Sequence, residues 1–203
     1  MAATAENLDG YAAVLRETTT TLDAAGIPYV VFGSIATRAA ARPGPFPTDE
    51  DIDLFLRPPD VAAAVRALEG AGFVTQEHDP AWIHKAMRGG VTVDLIFRAG
   101  RHIYLDDEML ERAVTTEAFG VPVKLMPPED LAIIKAVLHE EDRTRDWFDA
   151  LSILERNNLD WDYLVRRARS HAAQRVLSLL IYAGSNGVAV PEEAIFELKR
   201  ATG

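Results

Sequence analysis

Apolar positions along this chain change their period several times. Between Asn7 and Ala25 they follow the spacing of an amphipathic helix, which Gly26 ends and Pro28 cannot continue. A short β-favouring run, Tyr29-Val30-Val31-Phe32, then stops at Gly33-Ser34, and the alanine-rich stretch from Ile35 to Ala41 predicts a helix. Prolines in Arg42-Pro43-Gly44-Pro45-Phe46-Pro47 predict a loop delivering the chain to a strand over Asp51 to Leu56. Pro58 to Ala71 predicts a helix with Gly72 near its end, followed by strand-like Phe73 to Gln76. Trp82 to Met87 and Val91 to Phe97 flank Arg88-Gly89-Gly90, whose glycines suit a hairpin turn. Val114 to Phe119 and Val121 to Leu125 meet at Gly120 in a second turn.

From Pro127 the helical period takes over, over Pro128 to Glu141, Thr144 to Arg156, Trp161 to Tyr182 and Pro191 to Arg200. Asn157-Asn158 and Asn186-Gly187 supply turns. An αβ half followed by an all-helical half predicts the α+β class, with a catalytic module over residues 1–126 and a helical region over 127–203. Composition narrows this further. With 203 residues and 48% hydrophobic content the chain can bury a core, and it has no cysteine, which excludes disulfides, thiolate zinc sites and a thiol nucleophile. His84, His102, His139 and His171 are too scattered for a zinc site. The start from Met1 to Asn7 has neither a basic cluster nor an apolar run, and no stretch approaches the ~20 apolar residues of a membrane span, so a cytoplasmic protein with no membrane partner is expected. A formal charge of −10 works against general binding to a nucleic-acid backbone; it suits a protein that holds divalent cations, and solubility explains it equally well.

The chemistry concentrates in Asp49-Glu50-Asp51-Ile52-Asp53-Leu54-Phe55-Leu56. On a strand, Asp51 and Asp53 point to one face while Ile52, Leu54 and Leu56 point to the other, into a core. Two carboxylates at that spacing repel each other, so one takes up a proton or a cation sits between them; oxygen ligands favour Mg²⁺ or Mn²⁺. Asp94 stands in Val91-Thr92-Val93-Asp94-Leu95-Ile96-Phe97, an otherwise apolar or β-branched strand. If that strand pairs beside the first, three carboxylates can hold two cations about 4 Å apart, as in-line phosphoryl displacement requires. A solvent-facing strand edge is the alternative for the pair, and a satisfied strand-end aspartate for Asp94. Gly33-Ser34 lies where a strand turns into a helix, so backbone N–H groups and the serine hydroxyl can receive a triphosphate, or simply cap the helix.

Together Phe32-Gly33-Ser34, Asp51-Ile52-Asp53 and Val93-Asp94-Leu95 resemble the DNA-polymerase-β-like nucleotidyltransferase superfamily. The resemblance implies a mixed, mostly antiparallel sheet flanked by helices, with Asp51, Asp53 and Asp94 as metal ligands and Gly33 and Ser34 holding the triphosphate of an NTP. It further implies that Asp94 activates the attacking hydroxyl. A longer similarity runs through Met126-Pro127-Pro128-Glu129-Asp130-Leu131, Lys135 and Arg145-Asp146-Trp147-Phe148-Asp149, and is to bacterial nucleotidyltransferases of abortive-infection (AbiEii-like) and toxin–antitoxin systems. The gap from Gly33 to Asp51 is longer than in the most compact members.

Lys135 sits at the margin of its helix's apolar stripe, where it needs a partner: the phosphate of a bound nucleotide, or water. Arg143 and Arg145 are expected to pair with Glu141, Asp146 or Asp149, the alternative being a part in holding phosphates. Trp161, Tyr163, Leu177, Leu180 and Ile181 are expected to pack helices. The acceptor stays open between an RNA or tRNA end, for which Arg166, Arg167, Arg169 and Arg175 offer a local basic surface or merely solvate a helix, and a small hydroxylated molecule. A cognate antitoxin protein would accompany the first; a non-catalytic nucleotide-binding protein is the third alternative.

Overall fold

The structure, a computed structural model, describes residues 5–41, 51–139 and 144–202. The proline-rich loop expected at Arg42 to Pro47, together with Asp49, Glu50, Glu141 and Arg143, lies outside them. The described residues fall into two compact units.

The first unit draws on Met1–Arg38, Gly44–Ala99 and Tyr104–Met126. Helix α1 (Ala5–Ala24) leads, through Gly26 at φ 67°, to β1 (Tyr29–Val31) and α2 (Gly33–Ala41). Strand β2 (Ile52–Leu56) is followed by a 3-10 turn at Pro58–Asp60 and α3 (Val61–Gly70). Then come β3 (Val74–Asp79), β4 (Ile83–Arg88), β5 (Val91–Ile96), α4 (Asp107–Glu111), β6 (Val114–Ala118) and β7 (Val121–Leu125). The strands form a seven-stranded sheet in the order β3-β4-β5-β2-β1-β7-β6, parallel at β2/β5 and β1/β7 and antiparallel at its other four pairings. The fold is therefore α+β with a mixed, mostly antiparallel sheet.

The two hairpins follow from their turns. Gly89 and Gly90 both take positive φ, 56° and 80°, which a two-residue turn between twisted strands demands. At the second, Phe119 shares the requirement with Gly120, at φ 53° and 70°, and its ring is held against Tyr11 at 4.9 Å. Ile52, Leu54 and Leu56 are all fully buried, as their alternation requires, and Phe55 is buried too because the central strand is covered on both faces at that level. Helix α4 escapes the apolar period, being a single acidic turn over Asp107–Glu111; what starts it is Asp106, whose carboxylate accepts from the Met109 N–H.

The second unit comprises Pro127–Gly203 with the described parts of Ala39–Pro43 and Gly100–Ile103. It holds α5 (Pro128–Leu138), α6 (Thr144–Arg156), α7 (Trp161–His171), α8 (Ala173–Ser185) and α9 (Glu192–Thr202). One expectation fails here: Trp161 to Tyr182 is two helices, broken at Ala172, which has φ −159°. The composition carries no glycine or proline at that point, so nothing local announces the break. Tertiary contacts decide it, since α7 must bring Tyr163 and Arg167 to Asp130 on α5 while α8 buries Val176, Leu179, Leu180 and Ala183. Ile181, expected in the core, is exposed. No helix among the described residues is long and apolar enough to cross a membrane.

Candidate active site

The register of the central strands builds the site. Strand β2 runs parallel to β5 with Asp53 opposite Asp94, and β4 runs antiparallel to β5 with Lys85 opposite Asp94. Asp53, Asp94 and Lys85 thus form one row across three neighbouring strands, and their side chains share a face. Asp51 immediately precedes β2 and shares that face by alternation.

The carboxylates do not all meet at one point. Among the described residues, no three acidic or imidazole groups stand ready-made at metal-holding spacing. Two of the carboxylates reach a cation that the chain itself supplies: Lys85 Nζ donates to Asp94 Oδ1 at 2.6 Å and to Asp51 Oδ2 at 3.4 Å. Asp53 turns the other way, towards Gly33. A Cβ built on Gly33 would lie 2.5 Å from Asp53 Cγ, and Gly33 itself has φ 55°. Glycine is required there twice over, once for the backbone angle and once to let the carboxylate in. The same junction is tied by the Phe32 N–H donating to the Asp53 carbonyl at 2.9 Å.

Burial grades the acids. The Asp94 side chain is 11% exposed and that of Asp51 47%. Burial, the largest influence, pushes the Asp94 carboxyl above its ordinary range, and Asp51 adds to the rise; the hydrogen bond and charge of Lys85 and the charge of His78 pull it back only in part. For Lys85 burial acts downwards, but the hydrogen bond and charge of Asp94, followed by Asp51, outweigh it and hold the ammonium above its usual value. Ser34 opens the first turn of α2, and its buried hydroxyl has no hydrogen-bond partner, nor does that of Thr37 one turn on. A buried hydroxyl left unpaired is costly, so a ligand oxygen at this helix start has a donor waiting for it.

Asp51 and Asp94, gathered around a positive charge, are hard oxygen donors of the kind that could hold a divalent cation, with Asp53 next to Asp94 in the strand register. Lys85 does not stand out in the sequence by its residue type, although its place opposite Asp94 is signalled there. Counting outward from the two-residue turn at Gly89-Gly90 pairs Arg88 with Val91 and, three steps on, Lys85 with Asp94.

Lys135 lies on α5 in the helical unit. Its ammonium donates to Asp146 Oδ1 at 2.7 Å and to Asp149 Oδ2 at 3.4 Å, so the partner that its position calls for comes from α6. Arg167, which either reading of the arginines put at the surface, is instead buried, its Nε donating to Asp130 Oδ1 at 2.8 Å beside the Tyr163 hydroxyl. Arg166 and Arg169 line a cavity of about 470 Å³ between α7 and α9, but with Asp162, Glu193 and Glu197 around them and Arg169 paired to Glu197 at 3.4 Å. The four arginines therefore do not form one basic surface.

A family model described as "uncharacterised nucleotidyltransferase" matches residues 2–184. No protein of curated function matches the chain. Among solved structures, the chain is similar to an antigenic nucleotidyltransferase-like protein from Paracoccidioides brasiliensis, at 18% identity and a TM-score of 0.54, over 94% of this chain and 93% of that one. The antibiotic-resistance factor ANT(2'')-Ia is similar at 16% identity and a TM-score of 0.50, over 95% of this chain and 97% of that one. A third, JHP933 from Helicobacter pylori, is similar at 15% identity and a TM-score of 0.50, over 98% and 90%. At these identities the likeness is one of fold.

Proposed function

We propose, from the premise that the chain belongs to a family of nucleotidyltransferases, that it transfers a nucleoside monophosphate from an NTP to an acceptor hydroxyl and releases pyrophosphate. The observation that carries this reading is the row Asp53, Asp94 and Lys85, with Asp51 on the same face and the glycine-serine start of α2 against Asp53.

In this reading Asp51, Asp53 and Asp94 hold Mg²⁺ or Mn²⁺, which when bound neutralises phosphate charge and makes the acceptor hydroxyl more acidic. The first N–H groups of α2 and the Ser34 hydroxyl donate to the triphosphate. Asp94, the most buried of the three, takes the proton of the acceptor hydroxyl as its oxygen bonds to the α-phosphorus. The bond from that phosphorus to the bridging oxygen breaks on the opposite side, and the electron pair leaves with pyrophosphate.

The acceptor we favour is a small hydroxylated molecule, in line with the likeness to an antibiotic-resistance factor. A net charge of −10 and arginines neutralised by Asp130 and Glu197 favour a cationic acceptor over a polyanion. The abortive-infection pattern at Pro128-Glu129-Asp130 and Arg145-Asp146 favours a second reading, transfer to an RNA or tRNA end by a toxin with a cognate antitoxin. Incubation of the full chain with α-labelled NTPs and Mg²⁺, against total tRNA in one arm and an aminoglycoside and lincosamide panel in the other, separates them by which acceptor gains label. Asp51→Asn and Asp53→Asn are each expected to abolish labelling while circular dichroism stays unchanged. Undiminished transfer by Asp53→Asn would remove the reading.

A further inference from the structure

Lys85 is bonded to two of the three carboxylates proposed above to hold the metal. Its ammonium touches Asp94 Oδ1 at 2.6 Å and Asp51 Oδ2 at 3.4 Å, from a side chain only 23% exposed. A Mg²⁺ ion sits about 2.1 Å from its oxygen ligands, so an ion sharing these two carboxylates and an ammonium already bonded to them would compete for the same lone pairs and repel each other. The placement is built in rather than incidental, because the hairpin at Gly89-Gly90 fixes Lys85 opposite Asp94.

We infer that Lys85 is a positioning residue that serves as the internal counter-ion of Asp51 and Asp94 in the metal-free protein and must leave them for a divalent cation to bind. This rests on the transferase reading above. Lys85 draws two neighbouring carboxylates to one point before substrate arrives. Once displaced, the ammonium, on a flexible four-carbon stem, can pair with an incoming triphosphate, an anion that accepts its hydrogen bonds. Metal capture is thereby coupled to nucleotide: the metal alone must evict the lysine, whereas metal and nucleotide together give it a new partner. By linkage each strengthens the binding of the other.

The test is Mn²⁺ binding to the full chain, measured calorimetrically at pH 8 without nucleotide and again with a non-hydrolysable NTP analogue, for wild type, Lys85→Met and Lys85→Arg. Lys85→Met is expected to bind Mn²⁺ about tenfold tighter than wild type without nucleotide, since one contacting positive charge has gone. It should gain less from the analogue. Lys85→Arg, which keeps the charge, is expected to stay near wild type. Equal or weaker Mn²⁺ affinity in Lys85→Met, with native circular dichroism, overturns the inference and leaves the transferase reading standing. Wild-type affinity unmoved by Asp53→Asn overturns both.

Discussion

Gly33 shows how one residue can carry two constraints. Its φ of 55° is costly for any side chain, and a Cβ there would run into the Asp53 carboxylate. Gly33→Ala is therefore expected to lose about 1–3 kcal/mol of stability, read as a thermal midpoint several degrees lower, and to lose transfer with it. Tyr29 carries a constraint of another kind. Burial first, then the charge and hydrogen bond of Asp23, push its phenol well above the ordinary value of 10.0. The fold thus prefers the protonated phenol, so its contribution is intact below pH 10.0 and is lost as pH rises beyond that, where the unfolded chain ionises first. Tyr29→Phe should flatten the fall of stability above pH 10 in denaturant titrations; an unchanged slope would refute this.

At the scale of elements, charges buried between helices are the most vulnerable joints. Asp146 and Asp149 are both buried, with Lys135 reaching both from α5. Removing the ammonium takes a charged hydrogen-bond partner from two buried carboxylates, so Lys135→Met is expected to cost about 1.5–3 kcal/mol in urea unfolding. A change below 1 kcal/mol would show that the joint adds little to stability. The helical unit was the part least legible in advance. The lysine's need for a partner could be read from its position on the stripe, but which partner could not, because Asp146 is eleven residues away on another helix. Likewise Arg167 reads as a surface charge in sequence and becomes a core residue only when Asp130 and Tyr163 meet it.

For the whole molecule, a ligand that binds only the folded chain raises its stability by mass action. An NTP with Mg²⁺ at a hundredfold excess over its dissociation constant should add about 2.7 kcal/mol, a rise of several degrees in thermal midpoint. The same nucleotide with EDTA should add much less, and Asp53→Asn should abolish the difference; an equal rise with EDTA would show that the nucleotide binds without metal. The acidic balance of −10 belongs to this scale as well, where it governs encounter with charged acceptors rather than fold.

Local patterns determined the α+β class, the two hairpins and the face shared by Asp51 and Asp53, because the alternation of a strand and the glycines of a turn are short-range properties. The sheet order lay beyond them. That β5 crosses to lie beside β2, putting Asp94 next to Asp53, depends on pairing between residues about forty positions apart, which no local period encodes. The break at Ala172, the burial of Arg167 and the meeting of Lys85 with Asp51 were likewise decided only in three dimensions. In each case the deciding partner is remote in the chain.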